Sequence, residues 1–187
     1  MQKRTIVAIA IVFFAQAAVA AEVGGVKLDD KVSVGGRELV LNGAGIRTRA
    51  IFKVYVGSLY VPVRATTLAA ATGQSPRRVQ LNLLRNLSAD QLVEALLDGL
   101  KENTSEAEFA AIKPQSDQLV TIMKSFGDAK EGSVVTIDFI DGETRIAQSG
   151  QAKGAIAGEP FNQALMRIWL GDKPVQPDLK KAMLGGG

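Results

Sequence analysis

The chain has 187 residues and carries neither Cys nor His, which excludes disulfides, thiol nucleophiles, imidazole bases, Ser-His-Asp triads and histidine-built zinc sites. Its 22 basic residues stand against 19 acidic ones, with no Lys/Arg block to track a nucleic-acid backbone, and aromatics at 5% are too sparse for base stacking. The length is that of one domain able to bury a core, and packing alone must hold that core together.

The first twenty residues read as a cleavable export signal. Lys3 and Arg4 supply the charged start, Ile6 to Phe14 the apolar run, and Ala18-Val19-Ala20 the small residues before a cut after Ala20. The run is too short to span a bilayer. Removing it leaves 20 basic residues against 19 acidic, a nearly neutral mature domain of residues 21–187. The expected location is periplasmic or secreted, with no stable membrane insertion after cleavage.

From Val23 to Pro62 the chain reads as β-structure. Val26-Lys27-Leu28 and Lys31 to Val34 alternate, and Gly35-Gly36 turns the chain into Arg37 to Leu41. Asn42-Gly43-Ala44-Gly45 reads as a glycine-rich turn. Ile51 to Val61 reads as a long strand apolar on both faces, hence central and covered on each side. Thr66 to Ala71 can form a short helix, and Arg78 to Leu83 alternates again.

Ser88 caps a helix running to about Asn103, with Gln91 completing a capping box and Leu92, Leu96, Leu97 and Leu100 as its apolar stripe. Further helices are predicted from Glu106 to Ile112 and from Pro114, the latter with Leu119, Ile122, Met123 and Phe126 on one side. Val134 to Ile140, Asp141-Gly142 and Glu143 to Gln148 form the strongest hairpin signal, and Gly150 to Ile156 adds a strand. Pro160 opens a last main helix through Trp169, stopped by Gly171 and Pro174. Pro177 to Leu184 reads as a short fraying coda. The order predicts an α+β domain, with helices laid on one face of an antiparallel sheet.

Few residues stand out chemically. The segment Asn42 to Arg47 is a poor phosphate loop, because a strand rather than a helix N-terminus follows it. It can still deliver Arg47 to the mouth of a sheet. Tyr55 shares a face with Lys53 and Gly57, and Gly57 leaves a gap beside it where a ligand or another backbone could lie. Trp169 reads as core, Ser88 and Asp90 as caps, and Asp138 and Asp141 as turn acids. No motif requires a cofactor or a metal.

Two separated stretches carry a family resemblance. Leu41-Asn42-Gly43-Ala44-Gly45-Ile46-Arg47 with Phe52 to Val61 resembles the opening of chalcone isomerase-like proteins. Phe161-Asn162-Gln163-Ala164-Leu165 with Ile168 to Val175 resembles the closing helix of their exported bacterial branch. The resemblance implies an open-faced β-sandwich, a long antiparallel sheet with a helical layer on one face and a cleft between them. In the plant isomerases an arginine after the glycine turn and a threonine in the next strand organise chalcone cyclisation, with a tyrosine and an asparagine from the first long helix region. A plastid branch binds fatty acids through the matching arginine and a tyrosine in place of that threonine.

Carried over, those positions fall on Arg47 and Tyr55, the fatty-acid-binding pattern. No tyrosine follows Tyr60, and Arg85 to Leu97 offers Leu, Ala, Val and Glu where the isomerase has Tyr and Asn. The expectation is therefore a non-catalytic binder of a small apolar ligand with an acidic or carbonyl head, such as a fatty acid, held by Arg47 and Tyr55. The alternatives are an isomerase or lyase acting on an enone-type substrate, and a structural or partner-binding envelope protein.

Overall fold

The computed structural model describes residues 21–125 and 127–186; the expected signal segment and Phe126 lie outside the described residues. A small hairpin of β1 (Ala21–Val23) and β2 (Val26–Leu28) precedes the main sheet. The sheet takes β3 (Lys31–Val34), β4 (Arg37–Arg49), β5 (Phe52–Val61), β6 (Arg77–Leu83), β7 (Val134–Ile140), β8 (Glu143–Gln148) and β9 (Gln151–Ala157). These seven strands lie in chain order, and every neighbouring pair is antiparallel. The helices are α1 (Leu68–Thr72), α2 (Ala89–Glu102), α3 (Glu106–Ala111), α4 (Lys113–Lys124), α5 (Glu159–Leu170) and α6 (Pro177–Met183). This is the anticipated architecture.

Local chemistry sets most of the boundaries. Gly35-Gly36 and Asp141-Gly142 both turn with positive φ, the condition for a tight hairpin whose twist matches its strands. Ser88 and Gln91 form the anticipated capping box on α2, and Ser105 with Glu108 repeats it on α3. Pro114, Pro160 and Pro177 each stand in the first turn of a helix.

The sheet is covered on both faces, unequally. Leu59, Val61, Leu81, Ile137 and Ile146 meet Leu96, Leu119, Phe161 and Trp169 in the main core under the helices. On the other face Val56, Tyr60, Leu39 and Leu41 pack with Leu28 and with Val23 and Val26 of the small hairpin. This double cover explains why β5 shows no alternation of apolar and polar residues. Beyond the hairpin that face is polar: Arg78 grips Asp138 with two hydrogen bonds, 2.5 and 2.7 Å. Asp138 thus serves the sheet face rather than the turn.

Two further expectations are corrected. Asn42-Gly43-Ala44-Gly45 does not break the chain; β4 runs through it for 13 residues, with a bulge between Leu41 and Gly43. The glycines are there because α6 lies against the strand. A Cβ on Gly43 would stand 2.0 Å from the Ala182 carbonyl oxygen, and one on Gly45 would stand 2.9 Å from the Ala182 Cβ. The segment after Pro177, expected to fray, is instead a helix that buries Leu179 and Met183 in the main core. Buried Asn42 ties the bulge down, donating to the Ala65 and Met183 carbonyls at 2.9 and 2.7 Å and accepting from the Ala65 N–H at 2.7 Å.

Candidate functional site

Arg47 and Tyr55 are direct Cα partners across β4 and β5, so both side chains leave the sheet on one face. It is the helix face: Gly43, Gly45 and Gly57 on the same register look onto α6. The gap expected beside Tyr55 is filled from within. A Cβ on Gly57 would lie 3.3 Å from the Tyr55 ring and 3.4 Å from Leu179.

Gln176, the residue before α6, holds the Arg47 end of the strand. Strand β3 pairs with β4 only from Arg37 to Val40, so among the described residues no strand covers the β4 edge at Ile46 to Thr48. The Gln176 amide takes the missing strand's place. It donates to the Ile46 carbonyl at 3.1 Å and accepts from the Thr48 N–H at 2.8 Å. The Arg47 guanidinium donates to the same amide oxygen at 3.4 Å and to the Thr48 carbonyl. Among the described residues its partners are therefore neutral, and no carboxylate forms an ion pair with it.

The Tyr55 hydroxyl accepts a hydrogen bond from the Trp169 indole N–H at 3.1 Å. Burial raises the Tyr55 pKa; the Trp169 bond and the Arg47 charge oppose that rise but do not overcome it. At neutral pH the phenol keeps its proton and can donate it in a hydrogen bond.

Tyr55 stands at the junction of two spaces, and Arg47 beside it lines the outer one. Outside is an open cleft of about 600 Å³, within the usual range for small-molecule sites. Its sheet rim carries Arg47, Arg49 and Arg85, and its α2 rim carries Glu94, Asp98 and Glu102. Among the described residues no ion pair closes the cleft. Inside lies a chamber of about 50 Å³ walled by side chains such as Leu81, Leu96, Met123 and Trp169. Tyr55, Leu92 and Ala95 line both spaces and form the partition between them.

Arg47 and Tyr55, the expected ligand contacts, lie side by side on the cleft; the residues that support them were not expected. Trp169 is core, as expected, at 1% exposure, yet its N–H also orients the tyrosine. Gln176 had a local signal, its place before Pro177, but only its position in space takes its amide to β4. Leu92 reads as stripe residue, which it is, and also as partition, which the stripe could not reveal.

A seven-stranded antiparallel sheet roofed on one face by helices, with an arginine and a tyrosine at their junction, defines an open-faced sandwich with a ligand-sized cleft. The chain belongs to the chalcone isomerase-like family, whose match covers residues 20–185. Among solved structures it is similar to a fatty-acid binding protein of Arabidopsis thaliana, with a TM-score of 0.67 and 12% identity over 86% of this chain and 92% of that one. Comparison with curated protein sequences finds no match.

Proposed function

We propose that this protein is an exported, non-catalytic member of its family that binds a small apolar molecule with an acidic head, of the fatty-acid kind. The observation that carries the reading is the place of Arg47 and Tyr55, side by side where a charged cleft meets an apolar chamber. A cation without a carboxylate partner receives the head through a forked, charge-assisted contact. A phenol held protonated adds a second donor. The similar Arabidopsis structure, a fatty-acid binding protein by its own description, supports the reading.

The tail decides the affinity and the head decides the orientation. Each buried methylene contributes roughly 0.8 kcal/mol, against about 1.5–3 kcal/mol for one charged hydrogen bond. The inner chamber of about 50 Å³ holds little more than a water molecule's share of space. A long tail must therefore shift the partition, where Leu92 and Ala95 stand on one helix. The α2 residues that share the partition with Tyr55, Leu92 and Ala95, are apolar, which suits an apolar ligand at that point.

Titration calorimetry with a fatty acid and its matching alcohol tests the proposal. Arg47→Ala weakens binding of the acid more than of the alcohol; equal loss for both removes Arg47 from the role. Mass spectrometry of lipids extracted from the purified protein identifies the natural ligand. Export is tested separately by N-terminal sequencing of the cell-processed protein, which should begin at Ala21.

A further inference from the structure

We infer that the tip of the β4–β5 hairpin docks this protein on an anionic lipid bilayer. Among the described residues three large apolar side chains are exposed: Ile51 at 86%, Phe52 at 53% and Val63 at 69%. Two of them are adjacent, at the tip where β4 turns into β5. From Val56 onward β5 is wholly buried, so the exposure of its first residue is a local departure. The tip is a tight turn. Arg49 and Phe52 close the register, and Ala50 turns the chain at φ +52, a left-handed conformation uncommon for a residue other than glycine.

Cations surround the apolar pair. Exposed Arg49 and Lys53 flank it in sequence, and exposed Arg85 lays its guanidinium over the Phe52 ring, 4.7 Å from the centroid. Among the described residues none of the three forms an ion pair. Apolar side chains at the centre of a cationic ring match a bilayer interface, where the former enter the acyl boundary and the latter meet phosphate. Charge complementarity selects anionic lipid. It also sets the tilt, because Glu94, Asp98 and Glu102 on the α2 rim are held off the same surface.

Two inserted side chains make a shallow, reversible anchor. Because Arg49, Ala50, Phe52 and Arg85 also line the cleft, docking brings its mouth to the bilayer, and an apolar ligand can pass between the two without crossing bulk water. The docking itself does not depend on what the cleft holds.

The chain has no Cys, so Ile51→Cys gives one attachment point for a polarity-sensitive fluorophore on the full chain. The probe surfaces are vesicles of phosphatidylcholine mixed with phosphatidylglycerol and vesicles of phosphatidylcholine alone. On the mixed vesicles the label at position 51 should brighten and be quenched by lipids spin-labelled in the acyl chain, while a label at Val63→Cys stays in water. Arg49→Gln and Lys53→Gln should each weaken vesicle binding about fivefold, and Phe52→Ser should weaken it at least as much. Unchanged Trp169 emission would show that these variants keep their fold. Equal binding to neutral vesicles overturns the inference. So does a label at position 51 that stays in water on vesicles carrying the protein, as it would if another segment held the chain there.

Discussion

Arg47 and Tyr55 face each other across adjacent strands, and each is held by an element from the end of the chain. Gln176 steadies the strand and guanidinium of Arg47, and Trp169 steadies the hydroxyl of Tyr55. The pair is thus positioned by residues more than a hundred places away in sequence, and perturbing those supports should be visible at the site.

Tyr55→Phe separates the hydroxyl's structural role from its role toward a ligand. It leaves the Trp169 N–H without its partner, and the expected loss of stability is about 1–3 kcal/mol by denaturant unfolding. Trp169 is the one tryptophan of the chain, so its emission should shift in the folded variant. An unchanged spectrum would show that the 3.1 Å contact does not govern the indole's environment.

Both tyrosines of the chain are buried phenols. Burial raises the Tyr55 pKa and pushes Tyr60 up to about 12. The unfolded chain ionises both near pH 10. Above that pH it therefore binds fewer protons than the folded state, and stability falls as pH rises. Stability should be intact below pH 10 and decline from there through about 12. Phenolate absorbance should be missing near pH 10 as long as the fold persists. A full tyrosine titration at pH 10 in folded protein would refute the burial argument.

Gly43→Ala should be far more damaging than Gly57→Ala. The first drives a methyl to within 2.0 Å of a helix carbonyl in α6, while the second makes contacts of 3.3 and 3.4 Å with side chains. The expected losses are about 2 kcal/mol or more for Gly43→Ala and within about 1 kcal/mol for Gly57→Ala. Thermal unfolding of the two variants side by side checks the ranking.

Gln176→Glu should act on binding more than on folding. The carboxylate can still accept from the Thr48 N–H, but it loses the bond to the Ile46 carbonyl and supplies Arg47 with an anionic partner. An acidic ligand then competes with an internal one, and its affinity should fall roughly tenfold, with little change for the matching alcohol. Unaltered acid binding by calorimetry would detach Gln176 from the site.

What could be read from the sequence was what local chemistry controls. Capping at Ser88 and Gln91, the Asp141-Gly142 turn and the prolines that open α4 and α5 depend on residues within a few positions of one another. They are therefore written in the chain and appear where expected. That Arg47 and Tyr55 share a sheet face was legible for a different reason. The resemblance supplied their positions, and strand alternation then kept each on a definite face.

Asn42 to Gly45 shows where such reading stops. Two glycines within four residues carry the composition of a turn, and nothing near them announces a helix 140 residues later. Only when α6 settles on β4 does the lack of a Cβ become a requirement of packing rather than of turning. The partition made by Tyr55, Leu92 and Ala95, the reach of Gln176 to a bare strand edge and the exposure of Ile51 and Phe52 have the same origin. The sequence by itself determined most of the elements and their order, though not α6 or the unbroken run of β4. The tertiary structure decided which residues meet, because contacts between distant segments depend on how the layers pack and not on any pattern within a single segment.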